Sequence, residues 1–399
     1  MGTTNKNIYF LIGLNCLNKV YDIFFGMFMV SFLFKQTKEN ISDISIYHIC
    51  CYLVVCMMAY LTGNWIKRGN RLLMYKIGII STFAFFISFL ILQEKIINYI
   101  PFYGALYGVI TSFKAFPFNL IVADSVPSSK MIAFKGYLES LKTVVRVISP
   151  LLLGIFLTVD SYFNTIAFLA FMSFVEFILS SHIEAPIRKD IPKLNIKKFW
   201  RLTKQLKFLQ HLYKIEFCRG MTIDGTLGTL ITLYIVYLFH TDFNLGLISS
   251  IFFGITIVLN FIFGRFCQYR HFINILIATA VLVISSVIIF VVFPNKSTFI
   301  LYNFCFVVVT QFLRTIMDIN MYNVSNLPEV VEHKNEYFIV RELFLGSGRL
   351  FSYGLLLIVG IFNNYDLLKY LLMFLTLFVT FMSISGIKLN KYFMNFEKK

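Results

Sequence analysis

Apolar residues run through this chain in long stretches, each closed by a short polar or charged break. A helix needs roughly 20 apolar residues to cross a bilayer. Twelve segments of that kind are legible: about residues 8–34, 44–64, 72–92, 99–123, 139–159, 163–181, 217–239, 244–264, 272–293, 298–322, 341–362 and 366–387. The expected fold class is all-α, a polytopic membrane protein of twelve transmembrane helices. Most connections are short. The exception, about 182–216, carries nine basic residues, from Arg188 and Lys189 to Lys207 and Lys214. It divides the chain into an N-terminal six-helix half (1–181), a basic linker (182–216) and a C-terminal six-helix half (217–399). Within the linker, Ile196 to Leu212 has helical apolar spacing. Two readings stand open: a basic amphipathic helix on an anionic leaflet, or a solvated linker whose charges only set topology.

The two halves echo each other. Asp22-x3-Gly26 returns as Asp224-x3-Gly228, Lys114 as Arg314, and Gly63 as Gly264. Glu139-x6-Arg146-x2-Ser149 returns as Glu342-x6-Arg349-x2-Ser352. The offset stays at about 200 residues, the mark of an internal duplication. The halves are therefore expected to be pseudo-symmetric.

Composition agrees with a membrane. Hydrophobic residues make up 58% of the chain and charged residues 14%, against about 25% charged in a soluble domain; mean hydropathy is +0.75. A net charge of +16 would suit a nucleic-acid binder, but its distribution does not. The basic residues gather in the tails and the even-to-odd loops, while the opposite loops hold only Lys35, Lys38, Lys95, Lys296 and Lys369. That asymmetry is the positive-inside rule. It places both termini in the cytoplasm, in a cell (inner or plasma) membrane, with the lipid bilayer rather than nucleic acid as partner. The first apolar run holds Asn15, Asn18, Lys19 and Asp22, unlike a removable signal. It reads as a permanent span. The seven cysteines lie mostly in apolar runs without metal-ligand spacing and read as small apolar filler.

Charge inside a span is costly and tends to be functional; one charge at a helix centre costs about 2.5–3.5 kcal/mol on insertion scales. Deep ionisable residues fall on segments 1 (Lys19, Asp22), 4 (Lys114), 5 (Arg146), 7 (Asp224), 10 (Arg314, Asp318) and 11 (Arg349). Segments 3, 9 and 12 carry none in their interiors, and segment 6 has only Glu176. A helix facing lipid can be apolar all round, whereas one lining a watery cavity cannot. Every third helix is thus expected at the periphery.

On segment 1, Asn15, Asn18, Lys19, Asp22 and Gly26 fall on one stripe at helical spacing. The stripe reads either as a cavity wall with Asp22 as a proton or substrate carboxylate, or as a structural salt bridge. Asp224 has no basic residue four positions away, although Arg219 is near. A poorly paired carboxylate takes a proton more readily, so Asp224 is the better proton-coupling candidate of the two. Gly26 and Gly228 are expected to permit close helix approach. Lys114 has no acid nearby in sequence, which makes Asp22 its expected partner, while Arg314 has Asp318 one turn on. Asn15, Asn18, Lys19, Lys114, Arg314 and Asp318 are the substrate-cavity candidates, and an anionic substrate group is one use for the cations. Glu139 with Arg146, and Glu342 with Arg349, lie two turns apart and need partners on other helices, as gate salt bridges.

Twelve spans in two halves, a basic central loop and cytoplasmic termini resemble the twelve-helix, bacterial-type transporters of the major facilitator superfamily. Its loop motif after the second helix reads Gly-x-Leu-Ala-Asp-Arg-x-Gly-Arg-Lys. The matching stretch is Gly63-Asn64-Trp65-Ile66-Lys67-Arg68-Gly69-Asn70-Arg71-Leu72. Gly63, Arg68 and Arg71 match, Lys67 stands at the acidic position, and the second glycine is displaced to Gly69. Asp124, in Asp124-Ser-Val-Pro-Ser-Ser-Lys130, resembles an acidic element after the fourth helix in sugar-porter relatives. The resemblance implies Arg68, Arg71 and Asp124 as gate residues, with Asp124 the partner of Arg71 or Lys67. Pro150 and Gly154 loosely resemble the Gly-Pro element of exporters in this superfamily, a hint toward efflux.

No His-Glu-x-x-His, Gly-x-Ser-x-Gly or Walker loop is present. An enzyme is not expected, nor a cofactor or resident metal. The expected function is secondary active transport of a small molecule by alternating access, coupled to protons through Asp22 or Asp224, with the protein acting as a monomer. Uptake of an anionic or amphipathic solute is the alternative direction. A receptor or scaffold is the alternative class, against which the duplicated internal charges speak.

Overall fold

The computed structural model describes residues 2–66, 71–125, 128–159, 162–183, 195–325, 327–362 and 364–397. Arg68, and the side chains of Asp124 and Glu139, lie outside the described residues. Among those described there is no strand, as expected where lipid leaves backbone groups no partner outside their own segment.

The first span is composite: α1 (Gly2–Ile23), a π-helical turn (Phe24–Phe28) and α2 (Met29–Gln36). Then follow α3 (Ile41–Ile66), α4 (Arg71–Leu92), a 3₁₀ connection (Gln93–Tyr99), α5 (Ile100–Ser125), α6 (Ser128–Val159) and α7 (Tyr162–Ser181). The linker region forms α8 (Ile196–Gln205). The seventh span is α9 (Lys207–Met221) with α10 (Thr226–Phe239). The remaining elements are α11 (Asp242–Phe266), α12 (Phe272–Val292), α13 (Lys296–Ser325), the single turn α14 (Pro328–Val331), α15 (Lys334–Ile361) and α16 (Tyr365–Glu397). Among the described residues, eleven stretches are long and apolar enough to cross a membrane, and one of them, Arg71–Ala115, holds both α4 and α5. That makes twelve spans.

Contacts divide the chain into two units. Unit 1 is Met1–Pro192 with Thr232–Phe253, and unit 2 is Lys193–Ile231 with Gly254–Lys399. In unit 1, α5 packs between α3 and α4, and α1 packs against α6 and α7. An aromatic cluster fills the space beside the π turn: Phe25 meets Phe85 edge-on at 4.8 Å and Tyr107 at 4.6 Å. In unit 2, α9 packs on α15 and α16, and α12 packs on α13 and α16.

Segment 7 is not the continuous helix expected from its hydropathy. The helix begins at Lys207, ten residues before the expected start, and breaks at Thr222–Gly225. A break at membrane depth leaves carbonyls without intrahelical donors, and buried neighbours must supply them. Arg349 Nε does so, donating to the Asp224 carbonyl at 2.8 Å. Within the turn, the Asp224 N–H returns to the Arg219 carbonyl at 3.1 Å.

The glycines also differ from expectation. A Cβ added at Gly26 or Gly228 would meet nothing within 4 Å, so neither marks a close helix approach. The crossing of α9 with α15 does. A Cβ at Gly220 would collide with the Leu345 carbonyl, and one at Gly348 with the Phe217 carbonyl. Small residues let membrane helices approach backbone to backbone. Gly348→Val should therefore cost about 1–3 kcal/mol or more through overpacking. Gly228→Val, facing open space, should cost little beyond its helix propensity. Equal melting temperatures of the two purified variants would contradict this assignment.

Candidate functional site

Unit 1 encloses a cavity of about 240 Å³ along α1, α5 and α6. Asn15, Asn18, Lys19 and Asp22 form its α1 wall. The stripe follows from helical spacing, which sets these side chains one above another on a single face. Phe25, three residues past Asp22 and inside the π turn, continues the same wall. Such π insertions recur at functional sites. Tyr107, Thr111 and Lys114 line the cavity from α5, and Lys142 and Arg146 from α6. The lining thus holds four cations (Lys19, Lys114, Lys142, Arg146) and one acid, Asp22. The Asp22 side chain is 61% exposed and meets Lys19 Nζ at 3.4 Å, a loose contact for an ion pair. The Arg146 guanidinium also lies over the Phe253 ring at 5.9 Å.

Lys114 does not pair with Asp22 as expected. Its Nζ donates to Glu176 Oε2 at 2.8 Å, on α7. Both groups are buried, Glu176 completely. The Tyr75 hydroxyl donates to Glu176 Oε1 at 2.9 Å, and Asn18 Nδ2 donates to the Tyr75 oxygen at 2.7 Å. A chain of bonds therefore runs from the cavity wall through Tyr75 to a buried carboxylate. The Tyr21 ring covers the ammonium, 4.5 Å from its centroid. Packing sets this pairing. Because α4 lies against both α5 and α7, Glu176 is brought to the ammonium, and a fully buried carboxylate demands a cation.

A second unit 1 cluster centres on Asp242, a residue sequence reasoning missed because it begins a helix beside a loop. It is 5% exposed. Ser31 Oγ donates to it at 2.6 Å, Lys35 Nζ at 2.7 Å and the Tyr162 hydroxyl at 2.9 Å. Beside it, Gly154 on α6 packs directly on Gly246 and the Asp242 carbonyl. Tyr162→Phe, which removes one hydrogen bond to a charged group, should lose about 1.5–3 kcal/mol, and Asp242→Asn, which removes the charge that all three donors serve, should lose more. Melting of the detergent-solubilised variants should rank in that order. The reverse order would contradict a carboxylate-centred cluster.

In unit 2, Asp224 lies in the turn between α9 and α10 and is not poorly paired. Arg219 Nε donates to Oδ2 at 2.6 Å and Arg314 Nη2 to Oδ1 at 2.8 Å. The turn makes this possible by folding the chain so that a residue five positions back reaches the carboxylate. Asp318 turns to Arg219 Nη1, at 2.7 Å, rather than to Arg314. Arg349 holds the turn's carbonyl as described. Glu342 pairs with its neighbour Arg341 at 2.9 Å on the same helix, not with another helix. Arg341 also reaches the fully buried Glu216 on α9 at 3.0 Å, a pair that was not anticipated. Arg71 is buried at the start of α4. Among the described residues, no three His, Cys, Asp or Glu gather as a metal-ligand set.

Residues 11–329 match the family model of the Major Facilitator Superfamily. The chain belongs to this superfamily. Membership indicates a multi-pass membrane transporter rather than an enzyme. A relative in Bacillus subtilis (strain 168), named only as the uncharacterized protein YqgE, is 19% identical over 87% of this chain and 81% of its own length. The fold resembles a bacterial homologue of the iron transporter ferroportin, solved in an inward-facing state, with TM-score 0.68 and 11% identity over 96% of this chain and 98% of that one. It resembles the nucleoside transporter NupG with TM-score 0.70 and 10% identity over 98% and 99%. A D-xylose–proton symporter gives TM-score 0.68 and 10% identity over 95% and 96%. Proteins named for iron, nucleosides and xylose share this architecture. The fold therefore does not choose a substrate, and the site must.

Proposed function

We propose that this superfamily member is a proton-coupled secondary transporter that carries a small anionic solute by alternating access through the unit 1 cavity. The observation that carries the reading is the cavity's lining of four cations against one acid, with Lys114 already held by a carboxylate behind the wall, Glu176. A cleft lined mainly by one sign of charge favours a negatively charged group. Lys19 is the pivot. It now contacts Asp22 loosely at 3.4 Å, and an anion in the cavity competes for the same ammonium. When the anion takes Lys19, the Asp22 carboxylate loses its cation and is free to accept a proton. Solute and proton binding then reinforce each other, because each relieves the other's competition.

This reverses the order of the coupling candidates. Asp22 is exposed to the cavity and loosely held, whereas Asp224 is fixed between Arg219 and Arg314. It also favours uptake with protons over efflux. Pro150 and Gly154, the hint toward efflux, sit in close packing against α11, and packing alone accounts for them. The positive-inside charge bias supports a cytoplasmic side for both termini and the basic α8, in a cell membrane.

The test is a panel of carboxylates, phosphate esters, nucleosides and neutral sugars, assayed for uptake by right-side-out and inverted vesicles under an imposed pH gradient. An anion should be accumulated, and Lys19→Gln should weaken its apparent affinity about ten-fold, the effect of losing a charge-assisted bond of about 1.5 kcal/mol. Accumulation of neutral solutes alone would sink the anion reading. Accumulation only by inverted vesicles would make the protein an exporter.

A further inference from the structure

Unit 2 holds a cavity of its own, and its chemistry is the opposite of the unit 1 cavity's. It measures about 660 Å³, within the range of about 300–1,000 Å³ usual for small-molecule sites. Its walls are aromatic: Trp200 from α8, Tyr213 and Phe217 from α9, Phe344 from α15, and Phe378 and Phe381 from α16. Phe344 is stacked between two of them, 5.9 Å from the Trp200 ring and 4.8 Å from the Tyr213 ring. Lys204 and Lys214 stand in the lining, and both are exposed.

The groove exists because α8 is docked rather than loose. Asn195 caps it, accepting from the Lys198 N–H at 3.0 Å, and the Asn195 N–H donates to Glu336 on α15 at 2.8 Å. Phe199 is fully buried beside His333 and Tyr337. Phe199 thus anchors one face of α8, and the next residue, Trp200, is left to wall the groove. From Ile196 to Ile215 the chain carries Lys197, Lys198, Arg201, Lys204, Lys207 and Lys214 and no acid. All six cations are exposed.

We propose that this groove holds an anionic phospholipid from the leaflet next to α8. Its acyl chain would lie on the aromatic wall, with its phosphate between Lys204 and Lys214. Two observations select this occupant over a soluble ligand. The groove opens among membrane-spanning helices, where lipid is the solvent, and its rim carries only positive charge. A basic residue near an anionic surface contributes about 1 kcal/mol, which is about five-fold in affinity for each lysine. The bound lipid would tie α8, and through it α9 and α15, to the charge of the membrane. The proposal is independent of the transported solute.

The chain's two tryptophans make the test direct. In Trp65→Phe protein, Trp200 is the sole indole. Reconstituted into phosphatidylcholine vesicles, it should be quenched by brominated phosphatidylglycerol at a mole fraction at least five-fold lower than by brominated phosphatidylcholine. Adding Lys204→Gln and Lys214→Gln should erase the difference while leaving quenching by phosphatidylcholine unchanged. Equal quenching by the two lipids overturns the proposal, as does no quenching by either. A preference that survives the double lysine change also overturns it, since the anionic lipid would then be held elsewhere.

Discussion

Glu176→Gln is expected to remove most of the folded protein from the membrane. The substitution keeps the shape but leaves the Lys114 ammonium, 6% exposed, without its carboxylate. Breaking a buried ion pair from one side costs about 3–5 kcal/mol, because the remaining charge stays desolvated and unpaired. Removing the whole polar group is a different experiment. Lys114→Met, Glu176→Met and Tyr75→Phe together replace the pair and the hydroxyl that bonds it with apolar groups of similar volume, a change that is often neutral or stabilising. The triple variant should return to normal membrane yield and melting. It should still transport poorly, because the cavity has lost a cation and Asn18 has lost its partner Tyr75. Normal yield of Glu176→Gln alone would show that the pair does not hold unit 1 together. Full transport by the triple variant would remove Lys114 from the solute's path.

The spans and the α1 wall were readable in the sequence for the same reason. In lipid an apolar run needs no tertiary context to be a helix, and helical spacing alone puts Asn15, Asn18, Lys19 and Asp22 on one face. What spacing does not contain is which helix lies opposite. Lys114 has no acid nearby in sequence, which points to Asp22, yet α7, one of the helices expected at the periphery, supplies Glu176. The turn at Thr222–Gly225 was hidden in another way. Its hydropathy is that of a span, and Arg349, the donor that makes the break tolerable, is recognised only once the chain has folded. That same turn brings Arg219 to Asp224 and overturns the expectation of a poorly paired acid. The glycines teach the same point. The repeated pair Gly26 and Gly228 stands in open space, while Gly220 and Gly348, which no repeat marked, carry the tight crossing of α9 with α15.

The central claim is that Asp22 exchanges the coupling proton while Asp224 holds a structural network. Asp22→Asn should abolish accumulation of solute in response to a proton gradient yet spare exchange of solute across the membrane, since an amide cannot carry the proton but leaves the cavity intact. Asp224→Asn should act differently. It leaves Arg219 and Arg314 with one fewer anion between them, at a cost of about 1.5–3 kcal/mol for lost hydrogen bonds between charged groups, so yield and melting should fall and both transport modes should fall with them. The decisive measurement is made in proteoliposomes loaded with an accumulated solute from the panel. Gradient-driven uptake and solute exchange are recorded side by side for the unmodified protein, Asp22→Asn and Asp224→Asn. The account predicts loss of uptake with retained exchange for Asp22→Asn alone. Continued accumulation by Asp22→Asn against a solute gradient would contradict it.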